Sequence, residues 1–155
     1  MSLKLGQFRI SSPAFSHLGR MPKRQAGDAE NLSPPLEWSG APPGTREYAL
    51  LCFDPDAPLP EGVTHWVLYG IPANVNGLPE GEGPDAYTGG LNIAGKSGYL
   101  GPRPPPGHGL HHYYFWVYAL DSPLGLKPGL DRHQLTEAMK GHILEQARLI
   151  GTYER

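Results

Sequence analysis

Disulfides are excluded first, because the chain carries one cysteine, Cys52. No run approaches the ~18 apolar residues that a membrane-spanning helix needs. The opening Met1-Ser2-Leu3-Lys4-Leu5-Gly6 also lacks the apolar stretch of a secretory signal. A cytoplasmic protein without a membrane span is the expectation. Charge of one sign is missing too. Thirteen Lys and Arg against 15 Asp and Glu give a formal net charge of −2, which leaves no electrostatic footprint for nucleic acid or for an anionic membrane surface. Val and Ile total only nine residues, so the β-branched side chains that favour strands are scarce.

What the chain has in abundance is glycine and proline, 21 and 18 among 155 residues. At that level composition alone verges on disorder, but 10% aromatic residues, clustered in segments such as 111–120, argue for a folded, loop-rich domain spanning residues 1–155. Before residue 130 Gly or Pro recurs too often for a 15-residue helix, given costs of about 1 and 3 kcal/mol each in a helix interior. Strands are predicted over 48–54, 65–71 and 111–120, each bounded by Pro or Gly, with an edge strand over 8–11. The 111–120 segment is apolar or aromatic on both faces, which places it inside a sheet covered on each side.

One helix is expected near the carboxyl end. Leu135, Ala138, Met139, His142 and Ile143 recur at helical spacing, and Asp131 with Gln134 fits a capping box at its start. Residues 147–153 read either as a last helical turn or as a final strand.

Enzyme signatures are weak. Residues 90–97 match GxxxxGK[ST] formally, but a phosphate loop must open a helix, and Gly98, Gly101, Pro102, Pro104, Pro105, Pro106 and Gly107 follow at once. Ser97 lies outside a GxSxG elbow, and neither HExxH nor paired CxxC occurs. Cys52, inside an apolar strand, reads as a buried inert thiol.

Three constellations remain. Asp54-Pro55-Asp56-Ala57-Pro58 ends an apolar strand with two carboxylates that share a face if the backbone stays extended. On its own it also reads as a polar turn. The Ala57–Pro58 bond, closing that turn, is expected to be cis. His65-Trp66 opens another strand, and a glycine and proline loop over 98–110 runs into His111-His112-Tyr113. Together they place acids, histidines and a tyrosine where strands end beside a stiff loop, with His65 and His111 within about 12 Å of each other. Histidines beside carboxylates are expected to stay protonated near neutrality and to attract a phosphate or carboxylate.

In order along the chain, residues 31–38, 41–45, 54–58, 65–67, 98–102 and 111–121 resemble the phosphatidylethanolamine-binding proteins, also called Raf kinase inhibitor-like proteins, in their short bacterial and archaeal branch. The resemblance implies a mainly β fold, a β-sandwich with a C-terminal helix reaching from 131 to about 145 and a final strand over 147–153. It implies a pocket for a small phosphate-like anion or phospholipid headgroup, lined by Asp54, Asp56, Pro58, His65, Pro104, Pro105, His111 and Tyr113. It implies no cofactor, metal or catalytic residue, allows regulation of a kinase or other protein partner, and is compatible with a homodimer. Two positions depart from the branch: Ile93 stands where an acid is common, and His112 where arginine is common. Two readings stay open beside it: a hydrolase using a His/Asp pair in the same pocket, and a protein-interaction module presenting the 102–107 loop as a rigid epitope.

Overall fold

The computed structural model describes residues 6–82 and 86–155. Its centre is a five-stranded antiparallel sheet of β3 (Glu47–Asp54), β4 (Val63–Pro72), β6 (Thr88–Gly89), β7 (His111–Leu120) and β8 (Ile143–Tyr153), in the order β6-β4-β3-β7-β8. A smaller antiparallel sheet holds β1 (Arg9–Ser11), β2 (Leu36–Ser39) and β5 (Gly77–Leu78), in the order β1-β2-β5. The mainly β sandwich and the final strand follow the sequence reading.

Alternation along the strands builds two apolar layers. Leu50, Cys52, Trp66, Leu68, Tyr113, Phe115 and Val117 turn toward Ile10, Leu36, Trp38 and Leu78 of the small sheet. Ala49, Leu51, Val67 and Tyr69 face the other way, onto Leu135 and Met139 of the helix α1 (Arg132–Met139). Aromatic rings do the work that Val and Ile would otherwise do: Tyr48 stacks against Phe8 at 6.0 Å and meets the edge of Trp38 at 5.6 Å.

Two expectations about packing need correction. On β7 only one face is fully buried, because the helix lies over β3 and β4. His112, Tyr114, Trp116 and Tyr118 stay half-buried, with the Arg148 guanidinium over the Tyr114 and Trp116 rings. The helix is also shorter than expected. Its capping box is formed, with Gln134 N donating to Asp131 and Asp131 N to Gln134 Oε1. It stops at Met139, however, because Lys140 turns extended and Gly141 takes φ +79°, a conformation that ends helices. Ile143 then opens β8, and His142 pairs instead with Asp121.

One irregularity positions chemistry. In the β3–β4 ladder Cys52 pairs with Trp66 and Phe53 with Thr64, so β4 carries His65 as an extra, bulged residue. A bulge re-aims a side chain, and this one lies at the sheet end where β3 finishes and β7 begins.

Candidate functional site

Antiparallel pairing brings the end of β3 beside the starts of β4 and β7, so Asp54, His65, His111 and Tyr113 meet at one end of the large sheet. Asp54, Pro58, His65, Pro104, Pro105, His111 and Tyr113 line one cavity of about 220 Å³. Ala57, Val63, Leu100, Gly101 and Arg103 complete its walls. The Tyr113 ring lies 5.1 Å from His65 and 6.4 Å from His111, so the two histidines flank one aromatic side chain.

Asp54 organises the site. Its carboxylate is buried, with Oδ2 2.7 Å from His111 Nδ1 and Oδ1 accepting the Asp56 amide at 2.7 Å. A carboxylate can only accept there, so His111 Nδ1 bears the proton and Nε2 is the ring atom left to act. His65 is held differently, its Nδ1–H donating to the Leu100 carbonyl while Leu100 N donates to the His65 carbonyl. Burial pushes the His65 imidazole below its ordinary pKa, against the opposing pull of the Leu100 carbonyl and Asp54. The expectation of a protonated His65 is therefore corrected: the ring is neutral near pH 7, and its Nε2 is a bare acceptor. Burial and Asp54 push the Tyr113 phenol up, so it stays an O–H donor. Burial likewise raises the Cys52 thiol, in keeping with an inert side chain.

Asp56 does not join Asp54 in the cavity. The Asp54 carboxylate captures the Asp56 amide and turns the chain, and Asp56 Oδ2 takes both the ring and the amide of His112 at 2.7 Å. His112 thus braces the turn from outside. The Ala57–Pro58 bond is trans, contrary to expectation. Leu59 N reaches back to the Ala57 carbonyl at 2.7 Å, so the turn tightens around Pro58 itself, which proline's fixed φ suits without a cis bond.

The glycine and proline loop is fastened from both sides. Asn31 donates to the Tyr99 carbonyl and accepts from Gly101 N at 2.7 Å, Gly27 N donates to the Pro102 carbonyl, and Arg155 Nε donates to the Pro104 carbonyl. Gly101 is packed so closely that a Cβ would overlap the Gln25 carbonyl oxygen and crowd the Ala26 carbonyl carbon. Backbone cannot yield as a flexible side chain would. Gly101→Ala is expected to cost about 1–3 kcal/mol as overpacking, read as a lowered melting temperature. Ile93 lies outside this network, exposed, its amide on the Thr64 carbonyl.

Sequence reasoning passed over Ala57, Val63, Leu100, Gly101 and Arg103 of the lining, and one histidine beside it. The His108 ring, exposed, meets His111 Nε2 through Nδ1 at 2.7 Å. Its signal was the Gly107-His108-Gly109 triplet just before His111. A larger cavity, about 330 Å³, runs along Thr64, Asn92 and Arg132. There the Arg132 guanidinium is already engaged by Thr64 and Glu61 and lies over the Phe53 ring at 4.0 Å.

Residues 11–154 match the model of the phosphatidylethanolamine-binding protein family. A UPF0098 protein of Methanothermobacter thermautotrophicus is 46% identical over 151 residues, covering 94% of this chain and 98% of that protein. The crystal structure of a phosphatidylethanolamine-binding protein homologue from Chlamydia trachomatis superposes with a TM-score of 0.88 at 38% identity, covering 97% of this chain and 99% of the other. YbcL of Escherichia coli gives a TM-score of 0.90 at 28% identity, with 96% and 99% covered. The motifs, the two-sheet sandwich and these likenesses agree: the chain belongs to the phosphatidylethanolamine-binding protein family.

Proposed function

We propose that the protein binds a small phosphate-like anion, free or as a phosphorylated headgroup, in the Asp54–His65–His111–Tyr113 pocket and does not turn it over. The observation that carries this reading is a pair of polar groups that open on the cavity without a protein partner. His65 Nε2 and the Tyr113 hydroxyl have no hydrogen-bond partner among the described residues, yet neither is sealed off from the cavity. Groups open to a cavity exchange a water for a ligand atom, which favours a ligand that reproduces the water's hydrogen bonds. Their chemistry suits a hydrogen phosphate group. Tyr113 donates to one oxygen, Arg103 at the wall supplies positive charge, and neutral His65 accepts from the P–OH. A membrane span plays no part in this reading, since no helix among the described residues is long and apolar enough for one.

Binding is favoured over hydrolysis because the lining holds no serine, threonine or cysteine, and the Tyr113 phenol, with its raised pKa, is a poor nucleophile. The Asp54–His111 pair resembles the base and orienter of a hydrolase, so turnover of p-nitrophenyl phosphate and p-nitrophenyl acetate is the direct control. Regulation of a kinase or another partner would use the same phosphate chemistry, presented on a protein.

His111→Asn separates ligand binding from structure. The Asn amide keeps a donor for Asp54 but removes the Nε2 atom. The variant is expected to bind phosphorylethanolamine more weakly by about 1.5–3 kcal/mol, the worth of a hydrogen bond to a charged group, while its melting temperature stays close to that of the parent. Titration calorimetry beside a thermal melt checks both. Unchanged affinity in a folded variant would remove the pocket from the proposal.

A further inference from the structure

His111 Nε2 is the atom through which the braced histidine would meet an anion, and His108 already occupies it. Three groups lie in series: Asp54 Oδ2, His111 and His108, joined by contacts of 2.7 Å each. The first contact fixes a proton on His111 Nδ1. The second then has room for one proton only, because two N–H groups cannot face each other at that distance. With neutral rings, His108 Nδ1–H donates and His111 Nε2 accepts. An oxyanion needs the opposite, an N–H on His111 Nε2. Resting on the anion-binding reading above, we propose that His108 is a cap on the pocket, and that anion entry moves a proton onto His111 Nε2 while His108 is displaced.

The proton balance is simple. The exposed His108 Nε2 takes a proton from solvent, the N–H bond at His108 Nδ1 breaks as the N–H bond at His111 Nε2 forms, and His108 is left neutral as the Nε2–H tautomer. His111 then becomes an imidazolium between the Asp54 carboxylate and the arriving anion. The backbone permits the movement. Gly107 and Gly109 flank His108 at φ +74° and +96°, and a Cβ at either would meet nothing within 4 Å. Their absent side chains therefore serve backbone freedom, not close packing. The ring itself is exposed, so displacing it uncovers no core.

Neighbouring charges leave this pair to itself. Asp56 is held by His112, and His65 is turned to the Leu100 carbonyl. Arg155 is bonded to Pro104 and Asp28, and Tyr113 stays protonated. Arg103, on the cavity wall, is a cation among the described residues that favours the anion over a protonated His108.

Two measurements test the cap on the full chain. Nitrogen-15 NMR of the imidazoles at pH 9, where histidines are neutral, should show His108 as the Nδ1–H tautomer instead of the usual Nε2–H form. Inorganic phosphate added at pH 7 should make His111 doubly protonated and return His108 to Nε2–H. His108→Ala should bind phosphate about 2- to 10-fold more tightly, the span of one neutral hydrogen bond removed from competition. His108→Gln, which keeps a polar side chain without the ring, should bind at least as tightly as the parent. Equal or weaker phosphate binding by His108→Ala, or an ordinary Nε2–H tautomer at His108 in the phosphate-free protein, overturns the cap alone. Absence of phosphate binding by both the parent and His108→Ala overturns the anion-binding reading on which it rests.

Discussion

Asp54→Ala is expected to lower the stability of the fold by about 3–5 kcal/mol, because the buried carboxylate accepts two hydrogen bonds, each worth about 1.5–3 kcal/mol as a bond to a charged group. Both side chains of the Asp54–His111 pair are about 3% exposed, so bulk water reaches the place of the lost acceptor only through the cavity. The substitution strands the His111 Nδ1 proton inside the sheet end. It also releases the Asp56 amide, which Asp54 Oδ1 holds at 2.7 Å to turn the chain toward Pro58. At roughly 2–4 °C per kcal/mol for a chain of this size, the melting temperature should fall by about 6–20 °C. Asp56→Ala is the informative control. The Asp56–His112 contact is equally short, but its side chains are 40% and 38% exposed, and exposed pairs contribute about 0–1 kcal/mol. Parallel thermal melts of the two variants should therefore separate widely. Equal losses would mean that the turn and not the buried pair holds this end of the sheet.

That asymmetry between two carboxylates in one five-residue motif marks the limit of what the sequence makes legible. The central strands β3, β4 and β7 were readable because apolar and aromatic runs are bounded by Pro and Gly, and the capping box at Asp131 and Gln134 was readable because it is local. Strands of two residues, such as β5 and β6, exist only through their partners and carry no pattern of their own. The helix end depended on the φ that Gly141 adopts, which spacing alone does not reveal. At the site, Asp54, His65, His111 and Tyr113 were found as residue types at strand ends. Their roles were not. The His65 bulge is a property of the β3–β4 register, and the neutral state of His65 comes from burial, which only the packed chain displays. His108 was visible in the Gly-His-Gly triplet, but its contact with His111 depends on a turn in which His108 N reaches the Pro105 carbonyl.

Phe115→Ala should be as damaging as the loss of Asp54, for a different reason. Phe115 is fully buried in the middle of β7, paired with Cys52 of β3 on one side and Leu149 of β8 on the other. Its ring lies 5.9 Å from that of Phe15, in the segment that covers the open edge of β8. There Leu18 N bonds the Ile150 carbonyl and Met21 N the Thr152 carbonyl. Truncation to Ala leaves a void bounded by the sheet backbone, which cannot collapse inward, and by Phe15, whose segment is tied to β8. Large-to-small changes at such positions cost about 3–5 kcal/mol, so the expected fall in melting temperature is again about 6–20 °C. Trp116→Ala, one residue on and pointing to the half-buried outer face under Arg148, should cost less despite the larger side chain removed. Phosphate affinity supplies the second readout. Phe115 shares a face with Tyr113 but does not line the cavity, so a folded Phe115→Ala protein at low temperature should keep its affinity within about threefold, well under the ~1.4 kcal/mol that a tenfold change represents. A large loss of affinity together with an unchanged melting temperature would reverse the assignment and make Phe115 part of the pocket's support.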